Sequence, residues 1–296
     1  MGRRKKAKPR AQGRAVAGVE VSAAPEGGAR RAAPTVRLSK RMAILIGAAI
    51  AIPLVFVVVL VVLSGSGQQS GEPTIPVSSG GPRAAIVDQL SLTQPSPTFV
   101  DTATELLEQA GYAVDYFPGE QVTVEFFRKF PPQPYGLIIL RVHSALGREG
   151  GRPADWITLF TSDSYRETWY VDEQKTRRLS KVSYYEDGPP YFGIMPGFIK
   201  SSMKGNLQDA TVVMMGCDGL ATETIAAALV DKGAKAVVSW NGLVSGDHTD
   251  AATEALLRHF VTEGLPLREA VDETATEVGP DPAYGSVLRL YPPEGG

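Results

Sequence analysis

Apolar and polar positions follow two rhythms from residue 83 onward, and the rhythms take turns. "RAAIVDQLS" is a short apolar run closed by polar residues, the pattern of a buried strand. In "TFVDTATELLEQAG", Phe99, Val100, Ala103, Leu106, Leu107 and Ala110 recur at helical spacing, and Gly111 stops the helix. "YAVDYF" alternates like a second strand, and "TVEFFRKF" is a brief helix cut by Pro131 and Pro132. "YGLIILRVHS" is the most apolar of these runs, so it belongs at the centre of a sheet. Further on, "ATVVMMGC", "AKAVVSW" and "GSVLRLYP" predict three more strands, and "TETIAAALVDKG", "TDAATEALLRHFVTEG" and "LREAVDETATEV" predict helices among them. Strand and helix in alternation predict an α/β fold with a mostly parallel six-stranded sheet and helices on both faces. Right-handed crossovers then gather the C-terminal strand ends on one edge, where ligands and reacting groups collect.

One stretch breaks the rhythm. From Trp156 to about Lys204 the chain is rich in Thr, Tyr, Trp and Val and shows no helical spacing, which predicts a small antiparallel insertion. Within it, "EQKTRRLSK" (173–181) reads as a basic surface hairpin loop, with self-cleavage at Arg177 or Arg178 as the rival reading.

The first 82 residues read differently. "MAILIGAAIAIPLVFVVVLVVL" (42–63) is an uncharged apolar run about as long as the roughly 20 residues a spanning helix needs. Pro53 is compatible with such a helix, because neighbouring groups can satisfy the freed carbonyl. A signal peptide, removed after "SGSGQQS", is the competing reading. Residues 1–41 carry 12 Lys and Arg against Glu20 and Glu26, so this tail is expected on the cytoplasmic side of a single-pass cell-membrane protein. Beyond the apolar run stand 18 basic and 30 acidic residues, and that large acidic domain is expected outside. The tail is expected to be disordered and to serve as a topology signal rather than to bind nucleic acid. Residues 64–82 read as a flexible Gly/Ser/Pro linker, leaving 83–296 as one domain. "SLTQPSPT" follows the first strand where a nucleotide-binding fold would carry GxGxxG, which argues against nucleotide binding.

The candidate chemistry lies at two strand ends. His143 ends the third predicted strand, and Cys217, the only cysteine, ends the fourth main one. Each has a structural reading, a strand-end histidine satisfied by backbone and a buried apolar thiol. Together on neighbouring parallel strands, they would bring an imidazole and a thiol to one rim. The helix expected from Thr222 would favour a thiolate at Cys217, with His143 as acid and base. The N–H groups of Cys217 and Ser144 would polarise a scissile carbonyl. Asp88 and Asp218 are candidates for lining a pocket for a basic substrate side chain, or else serve as caps and turns. "SWNGLVSGDHTD" brings Trp240, Asn241 and Asp247 to the same edge. Asp247, His248 and Asp250 match no recognised metal spacing, and His259 is expected on the solvated side of its helix. The chemistry calls for no cofactor.

A histidine after the third strand, a cysteine after the fourth and a small antiparallel insertion between them resemble the caspase-like (clan CD) cysteine peptidases. The segment "MGCDGLATETIAAALVDKGAKAVVSWNGLVSGDHTDAATEALLRHFVTEG" is similar to the CHAT domains of that superfamily. The resemblance implies a caspase-like three-layer sandwich, a His143–Cys217 dyad, peptide or protein substrates, and a substrate pocket built partly from the loop of Trp240, Asn241 and Asp247. The family usually has Gly directly after the histidine, where this chain has Ser144. Inactive relatives exist in the superfamily, so a binding or scaffold ectodomain is the alternative reading.

Overall fold

The computed structural model describes residues 81–293. The expectations for residues 1–80, including the tail, the apolar run 42–63 and most of the linker, lie outside the described residues. Among the described residues, no helix is long and apolar enough to cross a membrane.

The chain runs β1 (Arg83–Asp88), α1 (Pro97–Gln109), β2 (Ala113–Pro118), α2 (Val124–Lys129), β3 (Leu137–Arg141), β4 (Ser144–Glu149) and β5 (Arg152–Ser164). It continues through α3 (Val171–Lys175), β6 (Leu179–Val182), β7 (Tyr191–Ile194), α4 (Pro196–Ser201) and β8 (Thr211–Met214). It closes with α5 (Thr224–Asp231), β9 (Ala236–Trp240), α6 (Gly246–Leu257), α7 (Leu267–Val278) and β10 (Leu288–Tyr291). Six strands form one sheet in the order β10-β9-β8-β3-β1-β2, parallel throughout except for β10, which runs antiparallel to β9 at the edge.

Strand periodicity explains the layers. All five residues of β3 are buried, as a central strand requires. Leu137 and Ile139 face α1 and α6, joining Phe99, Ala103, Leu107, Ala252 and Leu256 in one core. Ile138 and Leu140 face the other way, into a second core with Phe127 of α2, Phe198 of α4, and Ile225 and Leu229 of α5. Two-residue alternation thus feeds two apolar layers from one sheet, giving an α/β sandwich.

The antiparallel insertion is a four-stranded sheet in the order β4-β5-β7-β6. It begins at Ser144, immediately after β3, and not near Trp156. The reason lies in "GREGGRP": Gly150 and Gly151 take positive φ and turn a tight hairpin inside a stretch whose polar residues hide the strand pattern. The inward residues Ile157, Leu159, Leu179 and Ile194 join the core of α4 and α5, which anchors the insertion to the main sheet. The basic stretch 173–181 is only partly a surface loop. Glu173 lies within α3 and accepts from Arg128, Arg177 lies over the Trp156 ring at 4.8 Å, and Leu179 and Ser180 are buried in β6.

Candidate active site

The order of the main sheet reverses at β1, whose neighbours are β3 and β2. In open α/β sheets the crevice beyond the carboxyl ends of the strands at such a switch point is where ligands bind. Here that crevice is bordered by Asp88, by the 3-10 turn Gln89–Leu92 and by His143.

His143 stands two residues past β3. Its backbone N–H donates to the Gln89 side-chain oxygen at 3.0 Å, and the Gln89 amide nitrogen donates to the Tyr184 hydroxyl at 2.6 Å. The ring packs against Tyr184 and Phe160, with centroids at 4.9 and 5.8 Å, so the antiparallel sheet supplies one wall of its environment. Its Nε2 lies 2.7 Å from the Thr93 hydroxyl. Burial, reinforced by the Arg141 charge, pushes the imidazole pKa down to about 4, so the ring is neutral at neutral pH.

Cys217 follows β8 by three residues and is partly exposed. Its sulfur sits at the Val244 backbone, accepting from the N–H at 3.5 Å and donating to the carbonyl at 3.6 Å. Burial pushes the thiol pKa up, and the charges of Asp218 and Asp281 add to that. This is opposite to the expected thiolate. The helix expected from Thr222 starts at Thr224, and burial is the largest cause of the raised thiol pKa.

β3 and β8 pair directly, Leu140 against Met214, with no strand between them. The Ser144 hydroxyl donates to the Cys217 carbonyl at 2.6 Å. A Cβ built on Gly216 would overlap the Val142 carbonyl oxygen and the Ser144 hydroxyl, so glycine lets these strand ends touch. The Leu146 N–H faces the Asp218 carboxylate at 3.4 Å, and alternation along β4 turns the Ser144 N–H toward the same free edge. His143 and Cys217 therefore leave adjacent strands, while their side chains take separate partners, Thr93 for the ring and Val244 for the sulfur.

The remaining candidates are placed as follows. Asp88 is 1 % exposed, and both its oxygens are taken: one by Arg141 and the Ser91 N–H, the other by the Tyr116 hydroxyl. It lines no pocket for a basic side chain. Trp240 is likewise 1 % exposed, its indole N–H bonded to Thr249, so it belongs to the core rather than to a substrate pocket. Asn241 is exposed and its side-chain oxygen accepts from the Val287 N–H, tying this loop to the approach of β10. Asp247 is exposed in the first turn of α6. Asp218 takes positive φ at the turn after Cys217, and burial raises its carboxyl pKa. His248 faces the Gly279 carbonyl, and Asp250 is bound to Arg141. His259 is not solvated: it is buried, with Nδ1 at 2.8 Å from Glu263 and Nε2 at 3.0 Å from Glu277, beside an open acidic hollow of about 420 Å³ lined also by Glu269, Asp272 and Glu273. That hollow brings no nucleophile to a base.

Sequence reasoning missed the residue that ties this edge together. Arg141 is 1 % exposed, holds Asp250 of α6 with two bonds at 2.9 and 3.0 Å, and donates to Asp88 at 2.8 Å and to the Gln94 carbonyl at 2.9 Å. The signal was an arginine inside "LIILRVH", because a buried guanidinium must find carboxylates. Asp281 was also missed; it receives the Ser245 N–H and hydroxyl, and so pins the loop that holds the sulfur. No family model matches the chain, and no curated protein matches it.

Proposed function

We propose that residues 83–296 are a caspase-like cysteine endopeptidase domain, anchored to the cell membrane through residues 42–63. What carries the reading is one observation: His143 and Cys217 follow directly paired parallel strands, and Ser144, beside the histidine, bonds the Cys217 carbonyl at 2.6 Å. With a raised thiol pKa and a neutral imidazole, the resting pair is thiol and neutral ring, not an ion pair. Catalytic hydrogen bonds often tighten only when substrate is present. The thiol proton then passes to His143 as sulfur attacks the peptide carbonyl. The Cys217 and Ser144 N–H groups receive the developing oxyanion. The imidazolium returns the proton to the departing amine, and water hydrolyses the thioester, regenerating the thiol.

A second reading, a non-catalytic binding ectodomain of the same architecture, is favoured by the separate partners of ring and sulfur. The test is alkylation of the full chain with iodoacetamide, which reports Cys217 alone because no other cysteine exists. Slower labelling in His143→Ala, together with cleavage of a peptide library that Cys217→Ala abolishes, supports the peptidase. Equal labelling in both proteins and no cleavage supports the binding domain.

A further inference from the structure

We propose that the turn Leu92–Gln94 is a latch on this site: Thr93 occupies Nε2 of His143 in the resting protein, and the imidazole reaches Cys217 only when that turn moves. The inference rests on the dyad reading above and adds its regulation. Nε2 carries a single hydrogen-bonding position, so the Thr93 hydroxyl at 2.7 Å and the Cys217 thiol compete for it. The turn also reaches the other half of the site. The Gln94 side-chain oxygen lies against Gly246, two residues past Val244, whose backbone holds the sulfur. Two successive residues thus touch the ring and the sulfur's loop.

The turn lies at the surface. Leu92, Thr93 and Gln94 are exposed, and the N–H groups of Thr93 and Gln94 share one acceptor, the Leu90 carbonyl, at 3.0 and 2.7 Å. It is tied to the interior by the Gln94 carbonyl, held by Arg141 at 2.9 Å, and more weakly by the Thr93 hydroxyl, which donates to the Leu90 carbonyl at 3.4 Å. The His143 backbone is held by Gln89, and the ring only packs against Tyr184 and Phe160, so once Thr93 lets go its side-chain torsions are free to turn it toward Cys217. Thr93 is accordingly a positioning residue that acts through His143.

The experiment compares Thr93→Val, Thr93→Ser and His143→Ala in the full chain. It uses two readouts, the iodoacetamide rate of Cys217 and the ring ¹⁵N shifts of the histidines. Valine keeps the shape and removes the hydroxyl. It should move the His143 Nε2 shift and speed alkylation about fivefold, the factor expected for one net hydrogen bond. Serine should restore both to the wild-type values. A Thr93→Val protein with unchanged shift and unchanged rate overturns the latch. If the shift moves but alkylation ignores both Thr93→Val and His143→Ala, the dyad reading has failed, and the latch loses its role with it.

Discussion

The hydroxyl of Ser144 donates to the carbonyl of Cys217 across 73 residues of chain, at 2.6 Å. That bond and the bare Cα of Gly216 bring the ends of β3 and β8 into contact. The residue after His143 thus joins the two strand ends through its side chain.

Gly216→Ala should therefore be far more damaging than its size suggests. The added methyl meets a backbone carbonyl, which cannot swing aside as a flexible side chain would. A loss of about 3 kcal/mol is expected from this overpacking, against about 1 kcal/mol for Ser144→Ala, which deletes one hydrogen bond. Denaturant unfolding of the two variants measures the difference; equal losses would mean that the strand ends do not touch as described.

Arg141 makes a second prediction. Its guanidinium is buried between Asp88 and Asp250, and truncation leaves two carboxylates without their cation. Arg141→Ala should cost about 3–5 kcal/mol. Arg141→Lys should recover only part of this, because an ammonium cannot reproduce the two-bond grip on Asp250 while also reaching Asp88 and the Gln94 carbonyl. A lysine variant as stable as wild type would sink the argument.

The fold was legible wherever one rhythm ran long enough. The apolar content of "LIIL" put β3 at the sheet centre, and helical spacing around Phe99 and Leu107 gave α1. It failed at β4, where Gly150 and Gly151 interrupt a short, mixed pattern. The candidate site was half legible. Positions at strand ends follow from topology, so His143 and Cys217 could be named. The partners of their side chains depend on loops with no periodicity, so Thr93, Val244 and Asp281 stayed invisible. Trp240 looked available because it ends a strand beside a loop, yet strand parity turns it into the core of α6.

Thr158 offers a test of a different kind. It is fully buried on β5, and its hydroxyl has no hydrogen-bond partner among the described residues. A buried hydroxyl that gave up water and gained nothing is a net loss. Thr158→Val, nearly the same shape, should stabilise the domain by about 1 kcal/mol. A lower midpoint in thermal unfolding would show that the hydroxyl is satisfied after all.

Two histidines should pull stability in opposite directions with pH. His143 has its pKa pushed down to about 4, chiefly by burial, so the unfolded chain binds its proton more readily. Its contribution is complete above the ordinary value of about 6.5 and drains away as pH falls from there toward 4. His259 is the reverse. Hydrogen bonds to Glu263 and Glu277 raise its pKa, since both ring nitrogens donate only in the imidazolium. Its contribution is complete below about 6.5 and is lost as pH rises through the raised folded value. The effect should be modest, because both carboxylates are exposed. Melting temperatures measured from pH 4 to 9 should therefore fall less steeply on the alkaline side in His259→Gln and less steeply on the acid side in His143→Gln. Profiles unchanged in shape would mean that neither imidazole is shifted as its surroundings require.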